Sequence, residues 1–153
     1  MALERTAAHE KLATLIGRWT GVTEVFPNPW GPSGPAQGEW TFRLDLGGFN
    51  LIHDYRERRE DGYVFEAHGV LTVDPASQDV IWFWFDNYGF PPIPPSRGKW
   101  TDSALILEKS TPRGEARSIF ELADGVLTYA VGSRPTGAAE FAAVMQGSFH
   151  RAD

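Results

Sequence analysis

The side chains able to do chemistry fall into a few short stretches of this sequence. His53, Asp54, Tyr55 and Glu57 lie almost side by side, His68 follows Glu66, and Asp86 closes the aromatic run Trp82-Phe83-Trp84-Phe85. An aspartate that orients a histidine is what general base catalysis uses, so Asp54 and His68 form one candidate pair. A carboxylate, a phenol and an imidazole among aromatic rings can equally orient a small apolar ligand, because binding pockets are mostly apolar with a few polar groups. Other chemistries find no support. The chain has no cysteine, which removes thiolate nucleophiles, thiolate ligands and disulfides. No serine elbow and no phosphate-cradling loop occurs. A metal site needs three or four convergent ligands. His53 and His68 occupy opposite faces in the register derived below, so no metal and no cofactor are expected.

Which faces these residues occupy depends on the elements that carry them. Residues 6–18 hold the one helical period: Ala8, Leu12, Leu15, Ile16 and Trp19 share a face, with Thr6 as N-cap and Gly17 as stop. From there the period is 2, and nine turn signals separate ten short strands. Among these signals are the Pro/Gly stretch 27–38, Gly47-Gly48, Glu60-Asp61-Gly62 and the proline loop 87–96. Strands so evenly spaced form an up-and-down antiparallel sheet, and a long sheet curls into a barrel. The expected architecture is a single all-β domain over 1–153, with a barrel of about ten strands over 19–151 and the helix closing one end.

The turns set the registers. Gly47-Gly48 as a two-residue hairpin turn faces Leu46 with Phe49, Leu44 with Leu51, Phe42 with His53, Trp40 with Tyr55 and Glu39 with Arg56. A three-residue turn with Gly62 left-handed pairs Arg56 with Glu66 and Asp54 with His68. Val73 opposite Val80 then places Trp82 against Leu71, Trp84 against Gly69 and Asp86 against Ala67. These independent choices agree. One face holds Trp40, Phe42, Leu44, Leu51, Phe65, Leu71, Trp82 and Trp84, while the other carries the charged ladder Glu39, Arg56, Glu66. The aromatic face is read as the interior; a slip of one residue would invert the assignment.

In such a barrel alternate loops share an end, so 27–38, 60–62 and 87–96 surround one mouth with Trp30 and Phe90 as candidate lids. The inward residues near it are Trp40, Tyr55, Glu57, Phe65, Trp84 and Asp86, with His53 one step deeper. Each also has a plainer explanation. The tryptophans can simply fill a small barrel, His53 can be a hydrogen-bonded core residue, and Asp86 can cap the following turn. His68 with Asp54 can be an outer-face contact.

The segments "HEKLATLIGRWTG" (9–21), "LGGF" (46–49), "HDY" (53–55), "EAHGV" (66–70), "WFD" (84–86), "GKW" (98–100) and "MQGSFHR" (145–151) together resemble domain-of-unknown-function family 1579. The resemblance covers nearly the whole chain. It implies a calycin-like barrel, similar in architecture to lipocalins, fatty-acid-binding proteins and nitrobindins, which commonly hold a small hydrophobic molecule. It also implies that Trp19 of Gly17-Arg18-Trp19 closes the barrel bottom beneath Arg151. By analogy with fatty-acid-binding barrels, Arg117 is a candidate partner for a ligand carboxylate. Nitrobindins bind haem through an inward histidine on the last strand. Here period 2 puts Phe141, Ala143, Met145, Gly147 and Phe149 on one face and His150 on the other.

Composition narrows the partners. A formal charge of −6 argues against nucleic acid and anionic membrane surfaces. The opening "MALERTAAHE" carries charges where a signal peptide needs an apolar run, and a cytoplasmic location is expected. On the outer face Ile52, Val70, Ile81, Phe83 and Phe85 form a contiguous apolar patch. Such a patch marks an interaction surface, and a homodimer through strands 49–58, 63–73 and 80–86 is expected. Two functions follow from the same pocket: binding of a small hydrophobic or aromatic molecule, or acid–base chemistry on one, of lyase or isomerase type. Haem binding is a third reading.

Overall fold

Alternating apolar and polar side chains produce ten strands, joined in sequence order by short turns. In the computed structural model, which describes residues 2–29 and 31–153, helix α1 (Ala7–Ala13) precedes β1 (Gly17–Val25), β2 (Gly34–Asp45), β3 (Asn50–Arg59), β4 (Val64–Val73) and β5 (Val80–Asp86). β6 (Ser96–Trp100), β7 (Ala104–Thr111), β8 (Gly114–Ala123), β9 (Val126–Pro135) and β10 (Ala142–Ala152) complete the chain. Each strand pairs antiparallel with its sequence neighbours, and β1 pairs with β10, so the barrel is closed. No helix among the described residues is long and apolar enough to cross a membrane.

The registers derived from the turns hold from β2 to β5. Trp40 faces Tyr55 and Phe42 faces His53; Arg56 faces Glu66 and Asp54 faces His68; Trp82 faces Leu71 and Asp86 faces Ala67. The inner face is buried as expected. Trp40 sits fully enclosed at its centre, with ring centroids 4.4 Å from Tyr55, 5.0 Å from Tyr129 and 5.3 Å from Phe120. Edge-to-face and tilted pairs of this kind contribute about 0.5–1.5 kcal/mol each beyond the area they bury. On the outer face Arg56 pairs with Glu66 at 2.9 Å, whereas Glu39 is taken by Arg18 at 2.9 Å.

Three expectations are corrected. The helix is shorter than 6–18: it stops at Ala13, and Gly17 opens β1 instead of ending a helix. Leu12, Leu15 and Trp19 are buried, but Ile16 is 39% exposed, because a turn separates it from the helix. The stretch 27–38 is a loop only in part, since β2 begins at Gly34. Gly38 belongs to β2, paired with Gly21 and Glu57, and is glycine because a Cβ there would lie 2.8 Å from the Phe149 ring and 3.1 Å from the Tyr55 hydroxyl. Finally, the register slips between Ala143 and Met145 on β10. A bulge adds one residue to one strand, so period 2 cannot be carried through it. Met145 and Phe149 keep the inner face, while the Phe141 ring lies beneath the guanidinium groups of Arg117 (4.2 Å) and Arg134 (4.9 Å).

The helix end is plugged as the Gly-x-Trp resemblance implies. Arg151 lies 4.2 Å over the Trp19 ring and donates to the carbonyl oxygens of Ile16 and, at 2.9 Å, Thr14. The Trp19 indole donates to Leu15 O at 2.9 Å. Lys11 reaches Thr101 O and the Thr6 hydroxyl reaches Gln78, fastening α1 to the β4–β5 and β6–β7 turns.

Candidate functional site

At the end away from the helix the barrel is not filled. A cavity of about 450 Å³ opens between the β1–β2, β5–β6, β7–β8 and β9–β10 connections. Its apolar wall is Phe65, Trp82, Trp84, Tyr88, Phe90 and Tyr129, with Val25, Val131 and Met145 opposite. Phe65 stacks on Trp84 at 6.2 Å, and Trp82 meets Trp84 edge-on at 5.0 Å. Phe90 lies at the mouth, as expected; Trp30 lies outside the described residues.

Successive odd positions of β3 share the inner face, since side chains alternate along a strand. Tyr55, Glu57 and Arg59 therefore stand in a row up the cavity wall. The Tyr55 hydroxyl donates to Glu57 Oε1 at 2.7 Å, the Thr23 hydroxyl donates to the same oxygen at 3.3 Å, and Arg59 Nε donates to Glu57 Oε2 at 3.0 Å. Arg59 continues the network to Pro32 O at 2.9 Å and the Tyr88 hydroxyl at 3.1 Å. Glu57 is 1% exposed and Arg59 7%. Buried charges persist only when paired and hydrogen-bonded, and this pair meets that condition. Burial, reinforced by the Glu57 carboxylate, holds the Tyr55 hydroxyl well above its ordinary ionisation range, so it remains a neutral donor.

Asp86 takes both roles foreseen for it. It lines the cavity and also orders the turn: Oδ2 accepts from the Trp84 indole at 2.8 Å and Oδ1 accepts from Tyr88 N–H at 2.9 Å. Of the other expected site residues, Tyr55, Glu57, Phe65 and Trp84 also line the cavity. Trp40 and His53 do not. They lie in the packed core beneath it, with His53 Nε2 accepting from the Trp82 indole at 2.9 Å. Burial, then the charge of His68, pushes the His53 pKa down to about 3, so its ring is neutral.

Arg117 is a correction. It points out of the barrel, where it donates to Glu108 at 3.0 Å, because Ala116 and Ser118 hold the inner positions of β8. His68 and Asp54 bond each other on the outer face, largely exposed. His150 is exposed on the face opposite Phe149, and no histidine lines the cavity among the described residues. No group of three or more metal-ligating side chains occurs among the described residues.

Sequence reasoning missed Arg59, Lys109, Arg113 and the pair Arg134–Glu115 (2.5 Å), all of which line the cavity. Arg59 was within reach, because 53, 55 and 57 already fixed its parity. It abuts the Glu60-Asp61-Gly62 turn, where composition reads as loop.

A closed ten-stranded antiparallel barrel with an aromatic interior, plugged by a helix at one end and hollow at the other, is a calycin-like barrel. The chain belongs to the protein family of unknown function DUF1579, whose model matches residues 4–151. No curated protein matches it. Among solved structures it is similar to Rv2717c from M. tuberculosis, at 17% identity and a TM-score of 0.69, covering 98% of this chain and 100% of that one. It is also similar to EF1p2_mFAP2b bound to DFHBI, at 12% identity and a TM-score of 0.51, covering 95% and 100%. Both likenesses concern the fold.

Proposed function

We propose that this barrel binds a small, largely apolar molecule, aliphatic or aromatic, in the cavity above Trp82 and Trp84. The cavity itself carries the reading. Its volume of about 450 Å³ falls within the roughly 300–1,000 Å³ of small-molecule sites, and it combines aromatic walls with a few oriented polar groups. A structural barrel of this diameter would fill that space with side chains. The polar row Tyr55–Glu57–Arg59 is fully bonded internally, which suits a preformed wall. The buried Glu57 carboxylate favours one second reading, acid–base chemistry of lyase or isomerase type on the bound molecule.

Mass spectrometry of the protein purified under native conditions tests both readings. A retained small molecule is expected, and its turnover on incubation would mark an enzyme. Titration with N-phenyl-1-naphthylamine, a neutral fluorescent probe, provides the site test. Trp84→Ala should weaken probe binding and leave the protein folded. Trp82→Ala, deeper in the barrel, should destabilise more, by about 3–5 kcal/mol as for other buried tryptophans. Equal destabilisation by both variants, with probe binding unchanged, would mean that both rings are only core.

A further inference from the structure

The wall of the barrel is incomplete on one side. β5 pairs with β6 only from Val80 to Trp82, and β6 pairs with β7 only as far as Glu108. The upper ends of β5 (83–86) and β7 (109–111) therefore have no strand between them, and Tyr88, Phe90, Pro91 and Ile93 of the following loop line the cavity. Lys109 stands at that place. Leu105 and Leu107 are fully buried on the inner face of β7, and Lys109, two residues further on, follows them inward to line the cavity.

The cavity lining carries four cations, Arg59, Lys109, Arg113 and Arg134, against three carboxylates, Glu57, Asp86 and Glu115. That is a positive excess in a chain whose formal charge is −6. Each carboxylate is already engaged. Glu57 is held by Arg59, Glu115 by Arg134, and both oxygens of Asp86 by the Trp84 indole and Tyr88 N–H. Among the described residues Lys109 has no ion pair or hydrogen bond through its ammonium. The Arg113 guanidinium lies over the face of Phe90, at 4.5 Å, and has no ion pair among the described residues. Burial lowers the Lys109 pKa; the Asp86 carboxylate opposes this, and the charge of Arg113 adds to it. A partly desolvated ammonium beside a guanidinium, facing a carboxylate already bonded by the Trp84 indole and Tyr88 N–H, gains from a further anion.

We propose that Lys109 and Arg113 form an anion subsite at the rim of the cavity, and that the molecule held in the barrel is a singly charged amphipathic acid. This rests on the binding function proposed above and adds the charge class of the ligand. The apolar body would lie against Phe65 and Trp84, and the head group, a carboxylate or its sulfonate equivalent, would meet Lys109 where the β5–β7 gap opens. The excess over the lining carboxylates is one unit, which matches a monoanion.

Two probes that share a body isolate the head group: 1-anilinonaphthalene-8-sulfonate and its neutral counterpart N-phenyl-1-naphthylamine. The wild-type protein should bind the sulfonate roughly tenfold more tightly, the worth of one charge-assisted contact. Lys109→Met and Arg113→Gln should each reduce that preference, read as the ratio of the two affinities, and together abolish it, with an unchanged far-ultraviolet circular dichroism spectrum as evidence of an intact barrel. If the neutral probe binds and the wild type shows no preference for the sulfonate, the anion subsite is wrong and the cavity reading stands. A preference that survives the double substitution also overturns it. Failure of both probes to bind would overturn the binding function, and this inference with it.

Discussion

His53 shows how much one enclosed side chain can tie the molecule to pH. It is fully buried against Trp40, Phe42, Trp82 and Trp84, and its Nδ1 has no hydrogen-bond partner. Its pKa is about 3 in the fold against 6.5 unfolded, so the unfolded chain takes up the proton first. The stabilisation from keeping this ring neutral is complete above pH 6.5 and is lost as pH falls from there toward 3. The slope is about 1.4 kcal/mol per pH unit. Urea melts between pH 7.5 and 5 should show stability falling, with a shallower fall in His53→Gln; parallel profiles would remove His53 from the account. His9, whose pKa burial also lowers, contributes to both profiles and cancels in the comparison. At this scale the sequence placed His53 inside, but whether it met ligand or core depended on how far the rings above it closed. Trp82 and Trp84 close over it, and the cavity begins on their far side.

Among the elements, the seam between α1, β1 and β10 invites a direct test. Arg151 satisfies two carbonyl oxygens at the end of α1 and covers the Trp19 ring. Gly17, at φ +129°, makes room for it, because a Cβ there would stand 2.8 Å from the guanidinium. Arg151→Ala should lower the thermal midpoint, the cation–π contact alone being worth on the order of 1 kcal/mol. Binding of the neutral probe at the far end should not change. A loss of probe affinity would mean that the plug shapes the cavity. The helix was legible in outline and overextended, since Leu15 and Trp19 continue its apolar period by coincidence from a turn and a strand. Strands β2 to β5 were legible because glycine-bearing turns fixed their registers and opposite charges confirmed them. The later strands had an anchor of the same kind in Asp124-Gly125, across which Ala123 faces Val126, so the register of β8 and β9 was readable too. The bulge before Met145 is invisible to a period count, whereas Lys109 shares the inward parity of Leu105 and Leu107.

For the whole molecule the open question is what covers the outer apolar face. Ile52, Val70 and Phe83 lie in one row across β3, β4 and β5, with Ile81 beside them and Phe85 49% exposed. Ile52, Val70, Ile81 and Phe83 are half-buried within the sheet, and Phe85 is the most exposed of the five. We propose a second copy of the chain as its cover, around a two-fold axis, since a contiguous apolar surface of this kind marks an interaction surface. Phe83→Asp should turn a dimer into a folded monomer in light scattering; a wild type that is monomeric at high concentration would refute the dimer.

The ladder that closes the barrel joins residues 18–25 to 145–152, whereas every other ladder joins neighbours in sequence. During synthesis the hairpins can form one after another as the chain emerges, but the ring cannot shut until the last strand has left the ribosome. Until then β1 and β10 each present an unpaired edge, which is a template for pairing with other chains. Closing so long a loop is the slow kind of step in all-β folding. Any partly formed sheet therefore keeps two open edges until its ends meet.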